Sequence, residues 1–143
     1  MASPALHTVV SEYGTFTRRS HRTYTHAVIC LGRVESWLVD RQAAERRWVT
    51  KERDQYQGVI DNPQFTEDYK RDYRRWVDGM NQKLAAMPTM DAQALEANRL
   101  AVAEKRGACL GWSMSERSAQ RAARTWASKG YASVQVVTVT TRG

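Results

Sequence analysis

Residues 65–87 read FTEDYKRDYRRWVDGMNQKLAAM, and within them Phe65, Tyr69, Tyr73, Trp76, Met80, Leu84 and Met87 recur at intervals of four, four, three, four, four and three. That spacing follows one face of an α-helix, so it predicts a helix of about 23 residues, about 35 Å long at 1.5 Å per residue, ended by Pro88. Upstream, Val34, Trp37, Leu38, Ala44, Trp48, Val49 and Tyr56 approximate a second helical stripe that stops at Gly58 and the Asp61-Asn62-Pro63 breaker. A short turn between two long helices favours antiparallel packing, so residues 34–88 read as a helical pair. Downstream, Asp91 can cap a third, shorter helix that runs to about Arg106 and stops at Gly107.

The ends of the chain have β texture. Val9 to Thr17 and Thr23 to Leu31 are rich in Thr, Val, Tyr, Phe and Ile. Arg18-Arg19-Ser20-His21-Arg22 between them has hairpin-loop length, so a hairpin with a basic tip is expected. After Gly107 come a short apolar run (Ala108 to Trp112), a helix capped by Ser113 or Ser115 with Ala119, Ala122, Ala123 and Trp126 inward, and a strand over Ser133 to Thr140. A strand–helix–strand unit favours a parallel pair with a right-handed crossover. The expected class is α+β, in the order ββ-ααα-βαβ. It comprises a four-stranded mixed sheet in one domain over residues 1–143, with the long helical pair packed on it or projecting as an arm.

Composition narrows the function. The chain has 143 residues, 42% of them hydrophobic, with five Trp and six Tyr, enough to build a core and to exclude wholesale disorder. The longest apolar run, Ala27 to Leu31, is far short of the roughly 20 residues needed to span a bilayer. Met1 to Val10 lacks the basic and apolar regions of a signal peptide, so a soluble cytoplasmic protein is expected. Cys30 and Cys109 then read as buried thiols behaving as small apolar residues, with a disulfide between them the lesser option.

The net charge of +7 is unevenly placed. Residues 1–33 carry +3 and residues 107–143 carry +4, while residues 34–106 hold 13 basic and 13 acidic side chains. Arg18, Arg19, His21 and Arg22 fall at the expected loop tip with Tyr13, Phe16 and Tyr24 close by, a combination able to hold phosphate and stack on bases. Arg117, Arg121 and Arg124 recur four and three apart on the late helix. These six arginines form one nucleic-acid surface if the fold brings the two ends to one side, and otherwise they are solvated polar faces.

Other chemistry finds little footing. His26 and Cys30 share a strand face but lie about 13 Å apart at 3.3 Å per residue, too far to chelate one ion, and no zinc spacing occurs. Gly111-Trp112-Ser113-Met114-Ser115 departs from the Gly-x-Ser-x-Gly nucleophile elbow, and helix capping accounts for its serines. Glu67, Asp68, Asp72 and Asp78 interleave with Lys70, Arg71, Arg74 and Arg75 as a solvated, ion-paired face. No phosphate loop or dinucleotide fingerprint is present, so no cofactor or metal is implied.

The stretch Thr17-Arg18-Arg19-Ser20-His21-Arg22-Thr23-Tyr24-Thr25-His26-Ala27-Val28, together with Gly111-Trp112, Ala123, Trp126, Gly130-Tyr131 and Val134, resembles small accessory proteins of actinobacterial phages. The resemblance covers the two terminal thirds. It implies action on, or use of, a host component in the host cytoplasm, and transfers no activity or site residue. The sequence therefore points first to a non-enzymatic protein that docks on a host protein through its neutral helical pair, whose Tyr, Trp, Met and Arg suit an interface. Nucleic-acid binding through Arg18, Arg19, Arg22, Arg117, Arg121 and Arg124 is the alternative, and homodimerisation through the helices a related option.

Overall fold

The computed structural model describes residues 3–143, so Met1 and Ala2, at the start of the segment read for a targeting signal, lie outside the described residues. The elements, in order, are β1 (Ala5–Ser11), β2 (Gly14–Ser20), β3 (His26–Cys30), α1 (Glu35–Asp61), α2 (Glu67–Ala103), β4 (Ala108–Ser113), α3 (Glu116–Ser128), β5 (Gln135–Thr138) and β6 (Thr140–Arg142). The chain forms two compact units: residues 3–37 with 97–143, and residues 38–96.

The first unit corrects the expected sheet. In place of one four-stranded mixed sheet it holds two separate three-stranded antiparallel sheets, β2-β1-β6 and β4-β3-β5. The hairpin expected between residues 9–17 and 23–31 does not form: β3, within the second stretch, belongs to the other sheet, and β1 instead turns back into β2. Ser11 pairs with Gly14 across Glu12-Tyr13, where the Ser11 hydroxyl donates to the Gly14 carbonyl (2.8 Å) and accepts from the Tyr13 amide (3.2 Å). This side-chain-stabilised turn consumes residues assigned to the first strand. Arg18 and Arg19 consequently lie inside β2 and not in a loop tip. β4 and β5 do run parallel to each other, but β3 lies between them, antiparallel to both. The expected adjacent parallel pair is thus a split one, with α3 as its crossover. The strand expected over Ser133 to Thr140 is also divided: β5 pairs with β3 and β6 with β1, while the Val139 amide between them bonds to the Thr25 carbonyl.

Alternation along the strands layers this unit. Val9, Tyr13, Ala27, Ile29 and Leu31 form one buried cluster, with Phe16, Cys109, Trp112, Val137 and Val139 against it, so the inner faces of the two sheets meet there. Val28 and Cys30 point to the opposite face of the second sheet. They too are buried, because α3 packs across β3, β4 and β5 with Ala119 fully enclosed. The order of layers is first sheet, second sheet, α3.

The second unit contains the facing stretches of α1 and α2, which are antiparallel. Gln42 donates to the Asp91 carbonyl (3.2 Å), Arg46 pairs with Asp91 (2.9 Å), Lys83 with Glu45 (3.3 Å), and Arg53 donates to Asn81 (3.2 Å). Val49, Val77 and Met87 occupy the buried seam. Gly58 does not end α1. The expected break at Pro88 is absent as well: α2 runs through it, so two long helices replace the three expected. Proline removes one i→i−4 bond and costs about 3 kcal/mol inside a helix. Met87 buried on one side and Asp91 bonded by two α1 side chains on the other hold the helical path across it. Among the described residues no helix is long and apolar enough to cross a membrane.

Candidate functional site

The helical unit presents an aromatic ladder. Thr66 caps α2 by accepting from the Tyr69 amide (3.2 Å), and Asn62 accepts from the Gln64 amide (2.9 Å), which fixes the turn and places Phe65 just before the helix. Phe65 stacks on Tyr69 (ring centroids 4.8 Å), Tyr69 neighbours Tyr73 (5.4 Å), Tyr73 meets Trp76 edge-on (5.1 Å), and Tyr56 from α1 packs on both Tyr73 (5.4 Å) and Trp76 (5.7 Å). Each such pair adds roughly 0.5–1.5 kcal/mol beyond area burial, so the ladder is stiff. The phenols are tied as well. Tyr56 donates to Glu52 (3.0 Å), which pushes its ionisation above the usual tyrosine range, and the Tyr69–Tyr73 hydroxyl bond (3.3 Å) does the same for Tyr73.

The periodic stripe is therefore core only in part. Met87 is buried and Tyr73, Met80 and Leu84 are half-buried, but Phe65, Tyr69 and Trp76 are 39%, 49% and 47% exposed. Trp48 on α1 is 63% exposed while its neighbour Val49 is 3% exposed. Adjacent residues stand 100° apart on a helix, so Trp48 and Val49 could not share the seam, and that signal was open to a sequence reading. Trp48, Glu52 and Tyr56 on α1, with Trp76, Gly79, Met80 and Lys83 on α2, line open grooves on one broad side of the pair. Arg46, Thr50 and Arg53, with Arg74 and Asn81, occupy the other side.

The six arginines of the alternative site are all exposed and all in the sheet unit, but they do not form one surface. Arg19 and Arg142 both lie opposite Leu6 in the first sheet, so they share its outer face with Thr8, Thr15, Thr17 and Thr140. Arg18 alternates to the other face, with its guanidinium 5.2 Å from the Tyr24 ring, and Arg22 sits in the loop after β2. Arg117, Arg121 and Arg124 point away from the second sheet on α3, two layers removed. Tyr13 and Tyr24 are buried and Phe16 packs on the core, so none of these three rings is free to stack on a base. Among the described residues none of the six is in an ion pair of the kind that the helical arginines make.

The remaining candidates have structural employment. His7 is buried, with Nδ1 2.9 Å from the Thr141 hydroxyl and Nε2 3.2 Å from the Ser20 carbonyl, joining all three strands of the first sheet. His26 bonds to Thr25, and His21 is exposed. Cys109 lies opposite Ile29 and Cys30 opposite Ala108, so the two thiols point to different faces of the second sheet and both are free. Burial pushes both thiols above the usual cysteine range. Ser115 caps α3 by accepting from the Ser118 amide (3.1 Å). Among the described residues no three His, Cys, Asp or Glu side chains are grouped to hold a metal ion. No known protein family, curated protein or solved structure matches the chain.

Proposed function

We propose that the protein is a non-enzymatic binding protein, a phage or prophage accessory protein of the host cytoplasm, whose helical pair docks on a host protein. The observation that carries this reading is the exposed end of the ladder, Phe65 and Tyr69, held rigid by capping and stacking at the turn between α1 and α2. Leaving such rings in water is unfavourable, at about 25 cal/mol per Å² of apolar surface, and covering them recovers that energy. Their preset geometry spares most of the ordering cost on association. Tyrosine and tryptophan are also the residue types that dominate interface energetics. The helical unit holds 10 basic and 11 acidic residues, a balance that suits protein better than polyanion docking.

The test is capture from nuclease-treated host lysate with the wild-type chain and with a Phe65→Ser/Tyr69→Ser double variant. A stoichiometric protein retained by the first and lost from the second is the expected result. Recovery of no partner, or equal recovery by both, overturns the reading.

A second reading, nucleic-acid binding by the sheet unit, has one observation in its favour. That unit holds 12 basic and 4 acidic residues, a net +8. Duplex binding that is lost when Arg117, Arg121 and Arg124 become Ala would favour it.

A further inference from the structure

We infer that the free edge of β2 accepts, as a further strand of the first sheet, an extended acidic segment of a partner protein. The site lies in the sheet unit and is separate from the docking end of the helical unit.

The register of the hairpin decides which backbone groups are free. Ser11 and Gly14 close a two-residue turn, and the residues that close such a turn exchange both backbone bonds. Alternation then makes Val9–Phe16, His7–Arg18 and Ala5–Ser20 the bonded pairs, and it turns the amides and carbonyls of Thr15, Thr17 and Arg19 away from β1. On the other side of β1, His7 meets Thr141 of β6 through its side chain (2.9 Å), as the same alternation requires. Among the described residues, none of the six groups on Thr15, Thr17 and Arg19 has another backbone partner, and all three residues are exposed. Donors and acceptors at two-residue intervals along one line are matched by another extended backbone.

β2 also differs from the other edges. Long open edges invite pairing, and proteins blunt them with shortness, bulges, proline or charge. β5 and β6 have four and three residues, and β4 carries a bulge where Leu110 has no counterpart between Val28 and Ile29. β2 has seven residues, no bulge and no proline. Its one device is charge: Arg18 and Arg19 on opposite faces, with Arg22 just beyond the strand.

That charge selects the occupant, because nothing in the unit neutralises it. The sheet unit has four acidic side chains. Glu12 accepts from Gln135, Glu35 pairs with Arg99, Glu104 pairs with Arg106, and Glu116 lies on α3 beyond the second sheet. A strand that bears carboxylates at its outward positions sets one beside Arg19, and opposite charges on neighbouring strands stabilise the pairing. Its alternate positions turn inward, where an apolar side chain extends the contact with half-buried Phe16. The ligand is therefore an extended segment that alternates acidic and apolar residues.

Fluorescence anisotropy with a blocked, labelled peptide of about nine residues alternating Val and Glu tests this directly. The peptide should bind the full chain at about 100 µM, and the same peptide with Lys in place of Glu should not. Thr17→Pro removes an amide that β1 does not use, so it should leave the circular dichroism spectrum unchanged and weaken binding about tenfold or more. Arg19→Glu leaves the backbone edge untouched, and it should weaken the acidic peptide and admit the Lys peptide. Amide exchange followed by NMR gives an independent reading. Thr15, Thr17 and Arg19 should exchange fast in the free chain and slowly with peptide, while Phe16 and Arg18 are slow in both. Failure of the acidic peptide to bind, or equal binding of both peptides, overturns the inference. So does binding that Thr17→Pro leaves unchanged, since the arginines would then be a general anion surface suited to nucleic acid. Protection of the three amides that grows with protein concentration alone would put a second copy on the edge and overturn it as well.

Discussion

Asn98 offers the sharpest test of how the sheet unit is held together. Its side-chain amide imitates a strand residue: Oδ1 accepts from the Arg33 amide (2.8 Å) and Nδ2 donates to the Arg33 carbonyl (2.9 Å). The approach is close enough that a Cβ on Gly32 would lie 2.6 Å from Asn98 Oδ1 and 3.0 Å from Val102, so glycine is required there. Asn98→Ala removes both bonds and strands two half-buried backbone groups. Each bond contributes about 1 kcal/mol net, and an orphaned group costs about 1–3 kcal/mol where water reaches it poorly. Arg33 is only partly covered, which places the expected loss at about 2–3 kcal/mol. For a chain of this length that is a fall in Tm of roughly 6–12 °C. Asn98→Asp separates the two bonds. It keeps the acceptor but sets a carboxylate oxygen against the Arg33 carbonyl, so the introduced carboxyl group titrates with a raised pKa in the folded state. The variant's stability should be poorest at neutral pH and recover as pH falls through the carboxylate range, when a protonated oxygen can donate again. Urea melts followed by circular dichroism at pH 7 and pH 4.5 measure both effects. A loss below about 0.5 kcal/mol for Asn98→Ala, or an Asn98→Asp variant as stable as wild type at pH 7, would refute the strand-mimic reasoning.

Two further outcomes follow from packing. Gly130 has φ 84°, and a Cβ there would overlap the Trp37 indole, so Gly130→Ala should destabilise by more than about 2 kcal/mol and shift tryptophan emission, measured by fluorescence-detected melts. Because burial raises the pKa of Cys30 and Cys109, the native protein should react with a thiol reagent at pH 8 far more slowly than the urea-unfolded chain. The same shifts mean that stability present below the ordinary thiol pKa is lost as pH rises through the folded value, which an alkaline melt series would detect.

The sequence conveyed what is local and periodic. Both long helices, the Ser115 cap and inward alanines of α3, and the β character of residues 108–113 and 135–138 follow from spacing and capping chemistry. What it concealed was pairing. Nothing between Thr138 and Thr140 punctuates the chain, yet the two sides of Val139 join different sheets, because each is drawn to the free edge of a distant strand. Arg18 and Arg19 looked like loop residues since charge is uncommon in strands. In β2 one meets solvent and the other lies over Tyr24, so both keep their charge hydrated or facing an aromatic ring. Pro88 was overridden by tertiary bonds that no local rule weighs. At the candidate site the stripe was legible and its exposure was not, because periodicity identifies a face without saying whether anything covers all of it.

The net charge of +7 can now be judged by geometry. The sheet unit carries +8 and the helical unit −1, yet the sheet unit's basic rows stand on opposite sides of three layers. Arg19 and Arg142 can serve the outer face of the first sheet, and Arg117, Arg121 and Arg124 the outer face of α3. A rigid duplex touches one face at a time, so it meets about three phosphate-binding arginines, not six or eight. Counterion release then limits the slope of log K against log[salt] to about −3, since each neutralised phosphate contributes about −0.9. Weak, shallowly salt-dependent duplex binding is therefore the expected result in a fluorescence-anisotropy titration from 50 to 300 mM salt. A slope near −6 would require both faces to act on one nucleic acid, and would contradict the layer order from which the separation of the arginines is derived.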